Sequence, residues 1–197
     1  MKSTLVAMAG GFASVCIAVT SVAVNAEEIN NAVSGSTICL DFNPDGTCAR
    51  SVSNTVSIPL KNNGKKSNKV ANTGVGHSAL TGVTPDPLDP TTYCLIDDQP
   101  GLLFIYDYAT GVGTTPNGDL VVVALDASQT STVCVNPVSG NTEITLYRNI
   151  IGGTGQYEGA CGSTEFHGGG VFLPPGTAFS AFTGTNVGEV LVGDDCP

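Results

Sequence analysis

The chain has 197 residues, a formal net charge of −10, only 12% charged residues, 25 glycines and no tryptophan. A surface this acidic repels phosphate backbones and anionic lipid, which sets aside nucleic-acid binding and adhesion to an acidic membrane face. Sparse charge with abundant Gly, Thr and Val describes a strand-rich protein of one domain.

Residues 1–26 read as a secretory signal. Lys2 supplies the positive start, residues 5–24 are largely apolar, and Val24-Asn25-Ala26 precede Glu27-Glu28. A membrane anchor is the weaker reading, because Gly10, Gly11, Ser14, Thr20 and Ser21 dilute the run and no basic cluster follows it. Val15 stands where a lipid-modified Cys16 would need a small residue. Residues 27–197 hold no second stretch apolar enough to span a bilayer, so the expected product is extracellular and off the membrane.

Past residue 26 six cysteines remain: Cys39, Cys48, Cys94, Cys134, Cys161 and Cys196. An even number in an exported chain favours disulfides, with about 15 pairings open. Cys39–Cys48 is the pair favoured first, since Asn43-Pro44-Asp45-Gly46 between them is turn chemistry. Residues 27–50 are therefore read as a disulfide-closed N-terminal extension. Asp41-x-Asn43-x-Asp45-Gly46 matches the first half of a calcium loop, but Val52 stands at the twelfth position and Pro44 interrupts it. A plain turn is preferred there. The cysteine spacings fit no zinc site, and no metal or other cofactor is expected.

From Ser51 the punctuation is that of short strands. Residues 55–60 alternate and run into Lys61-Asn62-Asn63-Gly64-Lys65-Lys66, read as a solvated loop. Residues 70–81 form a glycine-interrupted strand, and Pro85, Pro87 and Pro90 impose a loop before residues 93–96. Residues 102–108 are rich in β-formers, and Pro116-Asn117-Gly118-Asp119 turns the chain into residues 120–125. Strand character returns at 130–135, 143–151, 160–167, 179–183 and 189–192. Helical periodicity is absent beyond the signal, so the fold class is all-β: about eight antiparallel strands in a barrel or sandwich. Glycines inside the strand-like runs (Gly74, Gly76, Gly82, Gly159, Gly162) favour strands bent enough to close a barrel over residues 51–197.

Three groups of residues carry candidate chemistry. Alternation over 143–150 places Ile144, Leu146, Arg148 and Ile150 on one face and Glu143, Thr145, Tyr147 and Asn149 on the other. If the apolar face is inward, Arg148 goes in with it, and an inward guanidinium must be paired or bind an anion. Its competitor is an arginine that reaches solvent at the strand end. Phe104, Tyr106 and Tyr108 share a face able to grip a flat or polyene-like ligand, with Tyr147 as a further contact; ordinary core and surface rings are the plainer reading. Glu158 and Glu165 flank the glycine turn with His167, and a carboxylate there acts as general acid or base if a cavity raises its pKa. The candidate catalytic set is Arg148, Tyr106, Glu158 and Glu165; the candidate ligand-binding set is Phe104, Tyr108 and Tyr147. With His77 and His167 the only histidines, hydrolase chemistry has little support.

Gly152-Gly153-Thr154-Gly155 followed by Tyr157-Glu158-Gly159-Ala160-Cys161-Gly162 resembles the signature of the allene oxide cyclase and dirigent superfamily. The spacing fits no nucleotide loop. The resemblance is sharp over residues 152–162 and diffuse over 70–192. It implies a calycin-like closed barrel holding an apolar reactive molecule, and a cofactor-free cyclisation or isomerisation steered by the shape of the cavity. Many dirigent proteins carry an arginine where this chain has Cys161, which weakens transfer of their coupling chemistry. No acid here aligns with a family catalytic carboxylate. The alternatives are a non-catalytic binding or structural barrel whose interior is packed, and a calcium-dependent adhesion module. The expected partner is an apolar small molecule, and homo-oligomerisation stays open.

Overall fold

The structure is a computed structural model that describes residues 26–42, 48–60, 72–172, 179–193 and 196. Residues 1–25 of the signal segment, residues 43–46 of the calcium-like motif and the Lys61-to-Lys69 loop lie outside the described residues.

Ten strands run in chain order: β1 (Ala26–Phe42), β2 (Cys48–Pro59), β3 (Asn72–Gly82), β4 (Tyr93–Ile96), β5 (Gln99–Thr114), β6 (Leu120–Leu125), β7 (Thr132–Val135), β8 (Asn141–Gly153), β9 (Cys161–Phe172) and β10 (Phe179–Leu191). Every pairing between strands is antiparallel, and β3 pairs β5 as well as β2, which closes the sheet on itself. β6 and β7 lie end to end between β5 and β8 and together make one stave. The result is a closed barrel of eight staves, with β4 a short strand added on the start of β5. Helix among the described residues is confined to two single 3₁₀ turns.

The segment expected as an N-terminal extension is in fact a wall stave. β1 pairs β10 from Ala26 to Ile38 and β2 from Asn31 to Phe42, so its polar alternation is that of a strand with one face on each side of the wall. The disulfide-closed loop is real but sits at the end of this stave, where Cys39 bonds Cys48. Arg50 pairs with Asp41 at 2.8 Å across the base of the same loop. β10 also runs unbroken where two short strands are expected, because Gly184 and Gly188 are carried within the ladder with β9.

Sequence turns to ends of staves in identifiable ways. Asp97 and Asp98 both have positive φ (53° and 57°), the two-residue turn that matches the twist of a hairpin, here joining β4 to β5. The Asp97 carboxylate accepts from Asn141 Nδ2 at 2.8 Å and holds that turn to the start of β8. At the other end of the barrel, the glycine motif folds as a 3₁₀ turn, Gly155–Tyr157, entered by Gly155 at φ 61°. Thr154 N donates to Leu120 O at 2.9 Å and Leu120 N to Thr154 Oγ1 at 3.0 Å, so the turn is latched to the start of β6.

The packed core is small and lies under that turn. Ile150, Ala160 and Val190 are buried together with Ile29, Val121, Val123, Tyr157 and Val192 against them. At the other end Ile96 and the Cys94–Cys134 disulfide are packed against Gly101. The third disulfide joins Cys161 to Cys196. With so little packed interior, cross-links matter: in the chain-entropy model a loop of 40 residues, as between Cys94 and Cys134, is worth about 4 kcal/mol. A Cys94→Ala/Cys134→Ala double variant should lose roughly 2–5 kcal/mol in urea unfolding, whereas a loss below 1 kcal/mol would show that the barrel does not depend on this link.

Candidate functional site

The barrel is hollow, and the side chains say why. Eight-stranded barrels are just wide enough to be filled by inward residues of ordinary size. Here β2 sends in Ser51, Ser53, Thr55 and Ser57, which stand opposite Ser78, Gly76, Gly74 and Asn72 of β3. β5 continues the same face with Ala109, Gly111 and Gly113. On β9 and β10, by contrast, Gly168 and Gly184 are covered by the Phe166 ring, and a Cβ on Gly184 would collide with the carbonyl of His167. A wall this thin on its inner side leaves a chamber of about 1030 Å³. That is at the upper end of the roughly 300–1,000 Å³ of small-molecule sites.

The chamber has two unlike halves. The β2–β3 side is small and polar. The β6–β8–β9–β10 side is apolar, with Val123, Ile144, Leu146, Ile150, Phe166, Phe182 and Val190 among its lining residues. Phe166 and Phe182 meet edge to face with centroids 5.8 Å apart. The outer surface shows the reverse pattern: Val56, Ile58, Val75 and Val112 are exposed on the outside of β2, β3 and β5.

Arg148 projects into the apolar half, as alternation along β8 requires, together with Ile144, Leu146 and Ile150. It is half-buried and is one of the residues that line the chamber. Its Nη2 donates to Asn186 Oδ1 at 2.8 Å, while Nε is buried without a partner. Directly across the β8–β9 ladder is Thr164, itself buried, whose Oγ1 also has no partner. No carboxylate among the described residues pairs with this guanidinium. Burial pulls its pKa below the usual arginine range, and the Tyr106 phenol acts in the opposite direction. An arginine remains charged at ordinary pH regardless.

Tyr106 lines the same chamber from β5. Burial pushes its phenol up to about 12, against a smaller lowering by Arg148. It is therefore a neutral O–H donor throughout the physiological range.

The other expected site residues are not brought together with this pair. Asp107 is an extra residue in β5, at the register shift where Ala79 faces Tyr108 and Leu80 faces Tyr106. The bulge puts Tyr108 on the outside, so it does not share a face with Tyr106. Phe104 keeps the inward side but packs on Gly82, outside the chamber lining. Tyr147 and Glu165 are on the outer face with His167: the Tyr147 hydroxyl bonds the Glu165 carboxylate, and Glu165 Oε1 pairs with His167 Nε2 at 2.5 Å. Strict alternation from Arg148 and Thr164 makes that placement unavoidable. Glu158 is exposed at the end of the glycine turn. The carboxylates that do line the chamber are Glu27 and Glu28 at the start of β1, with Glu27 accepting from the Tyr157 hydroxyl at 3.3 Å.

Thr164 and Asn186 are site residues that the sequence reading passed over. The signal for Thr164 was present: folding 143–167 about the glycine turn sets it opposite Arg148. Asn186 had none, because its segment reads as a gap between two strands. Compared with protein-family models, curated proteins and solved structures, the chain matches none of them.

Two outcomes follow from an unpaired cation and a buried phenol. Replacing a buried charge that lacks a counter-ion with an apolar chain of similar length should stabilise the empty protein, so Arg148→Met is expected to gain about 1–3 kcal/mol in urea unfolding. A comparable loss instead would mean the guanidinium is held by interactions that favour the fold. For Tyr106 the folded pKa is raised, so its contribution is complete below pH 10 and declines as pH rises from about 10 to about 12. Tyr106→Phe should flatten that alkaline limb; an identical limb in the variant would assign it to other groups.

Proposed function

We propose that the protein is exported and that it binds an apolar small molecule inside the barrel, favouring one folded conformer of the guest and so steering a cofactor-free cyclisation or isomerisation. The hollow interior is the observation that carries this reading. A packed structural barrel has no use for an inner wall of glycine and serine, because each unfilled position gives up dispersion and burial that a larger side chain would supply. Three disulfides support passage through an oxidising compartment, in keeping with the signal-like residues 1–26. The eight-stave barrel and the glycine turn at its rim agree with kinship to the allene oxide cyclase and dirigent superfamily, which is part of this proposal.

The steering would be mechanical first. A chamber that admits one coiled conformer and excludes water converts a floppy reactant into one poised for ring closure. Arg148 and Tyr106 would add donors aimed at an oxygen that gains negative charge. Glu158 and Glu165 take no part, since both are outside the chamber. Their position favours a second, plainer reading in which the barrel binds and carries its guest without turnover.

Thermal-shift titration with terpenoid, polyketide-like and polyene ligands tests the shared core of both readings. A ligand at a hundred times its Kd should add about 2.7 kcal/mol, or roughly 5–10 °C in Tm. A Cβ at Gly113 would meet only Val121 O, at 3.9 Å, so Gly113→Leu should place a leucine side chain in the chamber without a backbone clash and reduce the shift. A shift of unchanged size in Gly113→Leu would count against a ligand held on the β3–β5 side of the chamber. Product analysis on any binder with a reactive epoxide or enone then separates turnover from carriage.

A further inference from the structure

We propose that the β8–β9 wall of the chamber is an anion subsite and that the guest is an apolar molecule bearing a single negative charge of the carboxylate or sulfonate type. This rests on the chamber being a binding site and goes beyond it by specifying the guest's charge. Three features point to it.

The first is an unbalanced charge. Arg148 lines the chamber with its Nε buried, is charged at all ordinary pH, and forms no ion pair with any described residue. A cation in such surroundings is expensive unless something neutralises it. The second is a pair of unused polar atoms at the same place. Arg148 Nε and Thr164 Oγ1 are both buried without partners, and they belong to residues facing each other across the ladder. Groups of that kind are rare in native interiors and call for an occupant. The third is orientation. Asn186 accepts from Nη2 and holds that edge of the guanidinium, leaving Nε as an unused donor. Asn186 is thus a positioning residue, whereas Arg148 and Thr164 would touch the anion. Tyr106, kept neutral by burial, supplies a further O–H.

The stoichiometry of charge selects the class. At this wall one guanidinium with two neutral hydroxyls balances a monoanion, and the Glu27 and Glu28 carboxylates that line the chamber at the start of β1 disfavour any further negative charge. A phosphate monoester would leave about one further negative charge uncompensated in a low-dielectric wall of Leu146, Ile150, Phe166 and Val190. That wall requires the rest of the guest to be apolar.

A matched pair of dyes provides the test. 8-Anilinonaphthalene-1-sulfonate and N-phenyl-1-naphthylamine share one aromatic frame and differ by the sulfonate, and a chain with no tryptophan leaves their fluorescence easy to read. Partition into an apolar cavity alone favours the uncharged dye. The folded protein should instead bind the sulfonate at least ten-fold more tightly. Arg148→Met should abolish that preference while retaining the neutral dye, and Thr164→Val, which keeps the side-chain shape and removes one hydroxyl, should narrow it. Should Arg148→Met not fold, Arg148→Lys, which keeps the charge without the fork, should reduce the preference without eliminating it. Equal affinity for the two dyes, or an undiminished preference in Arg148→Met, overturns the anion subsite and leaves the chamber standing. Failure of the protein to bind either dye overturns the chamber reading along with it.

Discussion

Closure of the sheet is the constraint on which everything else depends. Once β3 pairs β5, every stave has neighbours on both sides, and the backbone polar groups are satisfied around the full circumference. A barrel held in this way does not need a filled interior to keep its shape. That freedom lets serine and glycine occupy the inner face of β2 and β3, where a sandwich of the same length would need large apolar residues to hold two layers together. The hollow is therefore a consequence of topology combined with small side chains. Neither is sufficient alone, since small residues in an open sheet would leave it without a core.

The chamber that results is electrostatically lopsided. Hydroxyls line one side, hydrocarbon with a single guanidinium lines the other, and Glu27 and Glu28 stand at the start of β1. In water the Arg148 charge would be cheap to solvate; among Leu146, Ile150 and Val190 it is not, and its Nε and the hydroxyl of Thr164 have nothing to bond. Groups left in this state usually mark a site where stability has been traded for a task. The outer cluster of Tyr147, Glu165 and His167 is a useful contrast: it has more titratable groups than the interior, yet they bond one another, and nothing about them calls for a ligand.

The strand pattern and the even cysteine count made the all-β class and the Cys39–Cys48 link legible, and the alternation in 143–150 put Arg148 inside. The limits were equally physical. Glycine reads as a strand breaker, so β10 was divided at Gly184 and Gly188, although inside a coiled barrel those positions are where the ladder most needs a residue without a side chain. Polar alternation in β1 was read as an extension because a half-polar strand has no apolar face to announce it. The bulge at Asp107 shifted the phase of β5 by one residue, and a one-residue shift sends every later side chain to the opposite face. Tyr108 was lost from the candidate site for that reason alone. Glu165 falls outside by the same alternation that puts Arg148 inside: two residues joined across a ladder must share a face, and Thr164, not Glu165, faces Arg148.

The glycine motif illustrates how a segment with no functional group of its own governs a site. Gly155 allows the left-handed turn, and Gly153 allows the chain to pass against Leu120 and Tyr157, where a Cβ has no room. The turn is then latched to β6 by Thr154 and plugged by Ala160. This fixes the register between β8 and β9, and the register is what sets Arg148 opposite Thr164. Cys161 is committed to Cys196 and extends the same reinforcement to the C-terminal segment. A slip of one residue at this hairpin would move one partner of the Arg148–Thr164 pair to the outer surface. The motif therefore acts on the chamber chemistry through geometry: it determines which two side chains meet inside, and the cation then determines what kind of guest the barrel can hold.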